Sequence, residues 1–365
     1  MIKTLELARP DILTLQPYQH AAWVPSLERM HANEMPWRAS GDPTVSGMNR
    51  YPEPQPEELI EHLAALYGVP PENLLAGRGS DEGIDLIVRA FCRAGRDSII
   101  ICPPTFGMYK VSARIQGADV IEVPLLKERG FALDVDAVLA AWREGVKLVF
   151  ICSPNNPTGN LMDRQAIETL CAKLAGKALV VVDEAYIEFA HVESLATRIA
   201  SLENLVILRT LSKAYALAGA RCGALIAHAE IVSLLARVIT PYSLPTHTVE
   251  SVLKFTDREH GQESRTRIET LLKERTRLSE RLAALPLIRR VWRSDSNFVL
   301  VECADADRVL AAAAAAGLII RDPRSQQALA DCLRISVGTP EQNDRLIRGI
   351  AAAAMPTGQR NTSSP

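Results

Sequence analysis

Five short apolar runs, at residues 98–102, 147–152, 178–183, 205–209 and 223–227, alternate with helix-length stretches, and this alternation narrows the possible folds more than any other feature. Each run is rich in Val, Ile, Leu and Ala with no polar face, the pattern of a strand buried on both sides. Helical periodicity occupies 135–142 and 164–174, and another helical stretch, 84–93, precedes the first run. Buried strands joined by helices of this length form a largely parallel, doubly wound sheet, so the class is α/β.

Pro56 opens a helix that passes through Ala64 and Leu66 and stops at Gly68. A charged stretch, 251–285, places Arg265, Lys273, Glu274 and Arg277 among spaced leucines and reads as one solvated linking helix. Beyond it, 288–352 reads as a smaller α+β unit, with strands near 298–301 and 332–336 and a helix containing the alanine run 311–316. With 365 residues the chain exceeds the roughly 250–300 at which a single core stops growing, so two domains are expected. The expected division is a large domain at 46–255 and a small one at 256–354. An irregular, proline-rich N-terminal segment, 1–45, would pack with the small domain. The polar tail, 355–365, has nothing to bury and is expected to be disordered.

Lys plus Arg is 41 and Asp plus Glu 43, a net charge of −2, which argues against a nucleic-acid footprint and for small-molecule partners. No apolar stretch approaches the roughly 18–20 residues of a membrane span, and the N-terminus has no apolar core of a signal peptide. A cytoplasmic protein is expected. The seven cysteines stand singly without a C-x-x-C pair and are expected to be buried reduced thiols. No metal site is expected.

Ligands in open α/β sheets bind beyond the carboxyl ends of the strands. After the run 147–152 comes Ser153-Pro154-Asn155-Asn156-Pro157-Thr158-Gly159; after 178–182 comes Asp183-Glu184-Ala185-Tyr186; after 205–209 comes Thr210-Leu211-Ser212-Lys213, with Arg221 eight residues further on. An amide, a carboxylate, a phenol, an amine and a guanidinium can therefore meet at one sheet edge. A pyridoxal-phosphate site needs this set. The amine forms a Schiff base and shuttles a proton, and the carboxylate sits at the ring nitrogen. A phenol and an amide hydrogen-bond the ring hydroxyl, while hydroxyls, backbone N–H groups and an arginine hold the phosphate. Gly77-Arg78-Gly79-Ser80-Asp81-Glu82-Gly83, ahead of a helix, offers such N–H donors. A dinucleotide fingerprint would want glycine where Glu82 stands, so that reading fails. Asp81 and Glu82 are poor neighbours for a phosphate and are expected to favour the helix dipole and face away. Taken singly, each residue has an ordinary alternative: a surface lysine, an N-cap, a turn asparagine, half of a salt bridge. Their joint occurrence in order at strand ends is what points to chemistry.

These segments, together with Asn49-Arg50-Tyr51-Pro52, Pro103-Pro104-Thr105-Phe106-Gly107-Met108-Tyr109 and Leu333-Arg334-Ile335-Ser336-Val337-Gly338, resemble the fold type I pyridoxal-phosphate enzymes. Among these the chain is most similar to the histidinol-phosphate aminotransferase family, over about 13–350. The resemblance implies a large domain with a mostly parallel seven-stranded sheet plus a smaller α+β domain, and pyridoxal 5′-phosphate as cofactor. It implies that Lys213 is the Schiff-base lysine, that Asp183 pairs with the ring nitrogen, and that Tyr186 and Asn156 contact the ring hydroxyl. Phe106 falls where the family usually has a stacking tyrosine, so the ring remains and its hydroxyl is lost. Ser80, Asp81 through its backbone, Thr210, Ser212 and Arg221 would hold the cofactor phosphate. Tyr51 would reach the phosphate in a neighbouring subunit, which implies a homodimer with shared active sites. Arg334 would take the carboxylate of glutamate or 2-oxoglutarate, and Arg321 the phosphate of histidinol phosphate or the distal carboxylate. Tyr18 would lie in the segment closing over that phosphate, and Asn156 would also face substrate. The same cofactor shell serves aromatic amino-acid aminotransferases and phosphothreonine decarboxylases, which differ in the substrate contacts. A ligand-sensing regulator would carry an added DNA-binding domain, and the resemblance begins within the first twenty residues.

Overall fold

A seven-stranded sheet runs through the middle of the chain in the computed structural model, which describes residues 2–21, 24 and 27–354; the expected disordered tail lies outside the described residues. Its strands are β1 (Leu74–Gly77), β2 (Ser98–Ile101), β3 (Asp119–Glu122), β4 (Val146–Cys152), β5 (Leu179–Asp183), β6 (Leu205–Thr210) and β7 (Gly223–Ile226), in the order β1-β7-β6-β5-β4-β2-β3. The pairs β3–β2–β4–β5–β6 are parallel, and β7 runs antiparallel to both β6 and β1. The sheet is mostly parallel, as its unbroken apolar runs predict. In β4, Val149 and Ile151 pack into the apolar cluster on one face of the sheet, and Leu148 and Phe150 into the cluster on the other.

A second, antiparallel sheet orders β10 (Cys332–Ser336), β9 (Phe298–Cys303) and β8 (Ile288–Val291). The helices Ala306–Ala315 and Pro340–Ala354 and the C-terminal half of Arg258–Ala283 cover it with Leu278, Leu282, Val309, Leu346 and Ile350.

Three expectations are corrected. The charged stretch is two helices, Thr246–Phe255 and Arg258–Ala283, because the Asp257 carboxylate caps the second by accepting from the His260 N–H. The N-terminal segment opens with a 3₁₀ turn, Lys3–Leu7, and a short helix, Pro10–Leu13, rather than irregular chain. Residues 2–13 also pack away from the second sheet. Ala8 and Ile12 join the cluster beneath the large sheet, and the Glu230 carboxylate accepts from the Ile2 N–H. Apolar side chains at Ile2, Leu5, Ala8 and Ile12 find their nearest apolar surface there.

Candidate active site

The parallel strands β4, β5 and β6 end side by side, with Cys152 opposite Asp183 and Asp183 opposite Leu208. The segments that follow them therefore share one edge and line a single cleft. Ser80, Asp81, Phe106, Asn156, Asp183, Tyr186, Thr210, Ser212, Lys213 and Arg221, all expected from the sequence, come together in its wall.

Asp183 forms the polar floor and is 3% exposed. Its Oδ2 accepts from the Tyr109 hydroxyl at 2.7 Å and its Oδ1 from the Ala185 N–H at 3.1 Å. Burial raises its carboxyl to about 6, against the lowering effect of these two bonds. Lys213 stands across from it, with Nζ 5.8 Å from the Tyr186 ring centroid. Burial and the nearby Arg334 and Arg221 guanidinia lower the amine below the ordinary lysine value, with Asp81 and Asp183 opposing them. A lowered amine spends more of its time neutral and nucleophilic.

At the other end, the helix Ser80–Phe91 points its N-terminus into the cleft. Gly79, with φ +83°, is its N-cap and supplies no side chain, so no side-chain bond caps the first turn. Arg221 donates to the Ser212 hydroxyl (3.2 Å) and pairs with Asp81 (3.4 Å), and the Thr210 hydroxyl donates to Ser212 (3.0 Å). Free helix N–H groups, two hydroxyls and a guanidinium make an anion cradle. Asp81 corrects its expectation. Glu82 does turn away, to Arg78 at 2.7 Å, but Asp81 remains in the cleft on Arg221.

The cradle is tightly built. A Cβ on Gly223 would lie 2.6 Å from the Arg209 carbonyl oxygen and 2.8 Å from the Gly79 carbonyl carbon. Gly223→Ala is therefore expected to lower unfolding stability by about 1–3 kcal/mol and to weaken phosphate binding together with it. Urea unfolding and inorganic-phosphate titration check the two effects.

On the remaining side, Asn156 links the two sheets. Its Nδ2 donates to the Tyr186 hydroxyl at 3.4 Å, and its Oδ1 accepts from Arg334 Nη1 at 2.5 Å. Arg334 lies on β10 with its guanidinium 5.1 Å from the Phe298 ring centroid. Its Nε is buried without a hydrogen-bond partner among the described residues. Arg321 and Arg334 exchange both backbone hydrogen bonds, at 3.0 and 2.9 Å, which puts their side chains on one face.

Of the other expected residues, Arg321 is exposed and, like Tyr51 and Tyr18, does not line the cleft. Tyr51 is 50% exposed and stacks on Tyr242, with centroids 4.7 Å apart. Tyr18, 68% exposed, borders a separate hollow with His20, Glu53 and Arg237. Tyr109, by contrast, bonds the cleft floor from a position that no strand end marks in the sequence. It sits three residues after Phe106, just inside the helix Met108–Gln116, and only the folded sheet brings its hydroxyl to Asp183. Cys152, the last residue of β4, also lines the cleft; burial raises its thiol far above the ordinary value.

Residues 41–350 match the family model of the class I and II aminotransferases, and the chain belongs to that family. It is 47% identical over 352 residues to the histidinol-phosphate aminotransferase of Stenotrophomonas maltophilia, covering 95% of this chain and 96% of that one. Its family in the narrower sense is thus that of the histidinol-phosphate aminotransferases. Two solved structures share the fold. The Clostridium acetobutylicum histidinol-phosphate aminotransferase has 22% identity and a TM-score of 0.76, over 85% of this chain and 92% of that one. The Sinorhizobium meliloti enzyme, in complex with pyridoxal-5′-phosphate, has 24% identity and a TM-score of 0.72, over 84% and 83%.

Pyridoxal 5′-phosphate is the cofactor of this family, and the residues present fit it. Asp183 is a buried carboxylate with no bonded cation among the described residues, an acceptor for a protonated ring nitrogen. The cradle at Gly79, where a Cβ would press to 3.0 Å from Arg221 Nη2, suits a phosphate. Lys213 lines the same cleft as both.

Proposed function

We propose that this protein is a histidinol-phosphate aminotransferase. It moves an amino group in two half-reactions, from L-histidinol phosphate to 2-oxoglutarate, giving imidazole-acetol phosphate and L-glutamate in histidine biosynthesis. The observation that carries the reading is Arg334, bonded to Asn156 of the cleft wall and paired through its backbone with Arg321, in a chain of this family. Two guanidinia on one face suit substrates with two anionic ends, or a phosphate in their place, by bidentate pairing.

When bound, pyridoxal 5′-phosphate supplies the carbonyl carbon that carries the amino group and an electron-withdrawing ring. Lys213 would anchor it and then, once displaced by the substrate amine, carry a proton between substrate carbons. Asp183 would hold a proton at the ring nitrogen, with Tyr109 fixing the carboxylate. Tyr186 and Asn156 would orient the ring hydroxyl, and Phe106 would lie against the ring face. Ser80, Thr210, Ser212, Arg221 and the backbone of Asp81 would bind the phosphate. Arg334 would take the substrate carboxylate; its unpaired buried Nε is a donor still to be satisfied.

The working unit is proposed to be a homodimer. Tyr51 lies outside its own cleft and would reach a partner's, and Met30, Met35, Trp37 and Val45 expose apolar surface on the N-terminal segment. Tyr18 would close over the substrate phosphate in that assembly. The cytoplasm is the proposed compartment; among the described residues no helix is long and apolar enough to cross a membrane.

The test is to add histidinol phosphate alone to the yellow holo-protein and follow loss of its visible absorbance, with phenylalanine and phosphothreonine in parallel. Rapid bleaching by histidinol phosphate, reversed by 2-oxoglutarate, is expected. Bleaching by phenylalanine alone would move the enzyme to aromatic transamination, and carbon dioxide release from phosphothreonine would make it a decarboxylase. In the same assay Arg321→Ala is expected to lower kcat/KM for histidinol phosphate by on the order of 10–100-fold, the loss of a charged hydrogen bond. Alanine, with no second anion, should be spared, and equal losses on both donors would remove Arg321 from the phosphate site.

A further inference from the structure

Behind the cleft, on the opposite face of the sheet, lies a buried charged cluster that the chemistry above does not use. Arg209, 6% exposed, donates from Nη2 to Glu188 Oε1 at 2.8 Å, and its Nη1 lies 3.7 Å from Glu184 Oε2. Its guanidinium carbon stands 4.5 Å from the ring centroid of Tyr67, the last residue of the helix Glu57–Tyr67. Glu184 is held in turn by the Ser194 hydroxyl and by the Leu195 N–H at 2.8 Å. Tyr67 Oη, Arg209 Nε and Glu188 Oε2 are buried without a partner among the described residues.

Such a cluster is a poor way to stabilise a fold, because burying these charges costs about as much as their attraction returns. Its position suggests another role. Glu184 directly follows Asp183, and Glu188 comes two residues after Tyr186. Arg209 directly precedes Thr210 and stands four residues before Lys213. The two strand ends that supply the floor, the phenol, the phosphate hydroxyls and the amine are thus tied together at their backs by one guanidinium. Tyr215, two residues beyond Lys213, also feels this cluster: burial and Glu188 raise its phenol, against the lowering effect of Arg209.

We infer that Arg209 is a positioning residue of the transamination site: by bridging Glu184 and Glu188 it sets the spacing of β5 and β6 at their ends, and so the distance from Asp183 to Lys213 and the phosphate cradle. It touches neither substrate nor cofactor. A lysine cannot span two carboxylates as a guanidinium does, so Arg209→Lys keeps the charge and loses the bridge. Glu188→Gln keeps the shape and weakens one arm.

This inference rests on the proposed function, and two readouts keep them apart. The dissociation constant of pyridoxal 5′-phosphate is measured by titrating apo-protein, whatever the amino donor. Then kcat and KM for histidinol phosphate are measured on cofactor-saturated enzyme, with the apo-protein melting point as control. For Arg209→Lys the expected result is cofactor binding weaker by on the order of tenfold and kcat lower by ten- to a hundredfold, the size of a misplacement near 1 Å. KM should be unchanged and the melting point within a few degrees of wild type. Glu188→Gln should show the same pattern at smaller size, which keeps the test open if Arg209→Lys does not fold. Wild-type affinity and kcat in either folded variant would overturn the inference. So would losses that follow the unfolded fraction alone. Failure of the wild-type protein to use histidinol phosphate, with the cofactor effects intact, would count against the proposed function instead.

Discussion

Lys213→Ala is expected to reduce turnover of histidinol phosphate by on the order of 10⁴ or more, because anchor and proton carrier are lost in one substitution. The fold should be untouched. Lys213 lines the cleft wall with no side-chain hydrogen bond or ion pair among the described residues, and partial burial and the like charges of Arg334 and Arg221 lower its amine, so its removal breaks no bond. The apo-protein should melt within a few degrees of wild type and still bind pyridoxal 5′-phosphate through the cradle, without the covalent anchor that borohydride would trap in wild type. Added methylamine, small enough to enter the vacated space, should restore part of the proton transfer. Turnover above a hundredth of wild type without added amine would take Lys213 out of the proposed role.

Asp183→Asn is expected to move stability and activity in opposite directions. Burial raises this carboxyl to about 6, so near pH 8 the folded apo-protein bears a charge it holds reluctantly, a cost of ~3 kcal/mol by order of magnitude. The sign follows from the raised value. The cost is absent below the unfolded carboxyl's pKa, near 4, grows as pH rises through about 6, and is full above it. Asparagine removes the charge and remains satisfiable, accepting from the Ala185 N–H while donating to Tyr109 Oη. The apo variant should therefore melt at least as high as wild type at pH 8. Its kcat should fall by about 10²–10⁴-fold, since a neutral amide cannot hold a proton at the ring nitrogen. A melting point well below wild type at pH 8, or near-normal kcat, would contradict this account of Asp183.

Both residues could be found without coordinates, and the reason is local. A fully buried parallel strand is an unbroken apolar run, so β2, β4, β5, β6 and β7 stand out, and the residues that follow them are marked as edge residues by position alone. Strands lacking that signature escaped notice. β3, Asp119–Glu122, runs exposed at the sheet margin with acidic residues at both ends. β8 carries Arg289 and Arg290 in its four residues. β1, Leu74–Gly77, runs directly into a glycine turn. The break at Asp257 could have been found from its capping carboxylate, but the charged periodicity on either side masked it. Tyr109 was out of reach for a different reason. Its partner lies 74 positions away and the pairing exists only because β4 lies between β2 and β5. The Arg209 bridge is likewise a property of adjacent strands, invisible in either one alone.

The backbone pairing of Arg321 with Arg334 bears on how the proposed pocket would serve two unlike molecules. Paired residues that exchange both hydrogen bonds keep their Cα atoms about 5.5 Å apart, so the two cation-bearing positions form a fixed gauge. Neither base can shift to suit a longer or shorter substrate without dragging the other. Accommodation must then come from torsion of the arginine stems. In the proposed site Arg334, anchored on Asn156, would be the stationary jaw, and exposed Arg321 the one that swings.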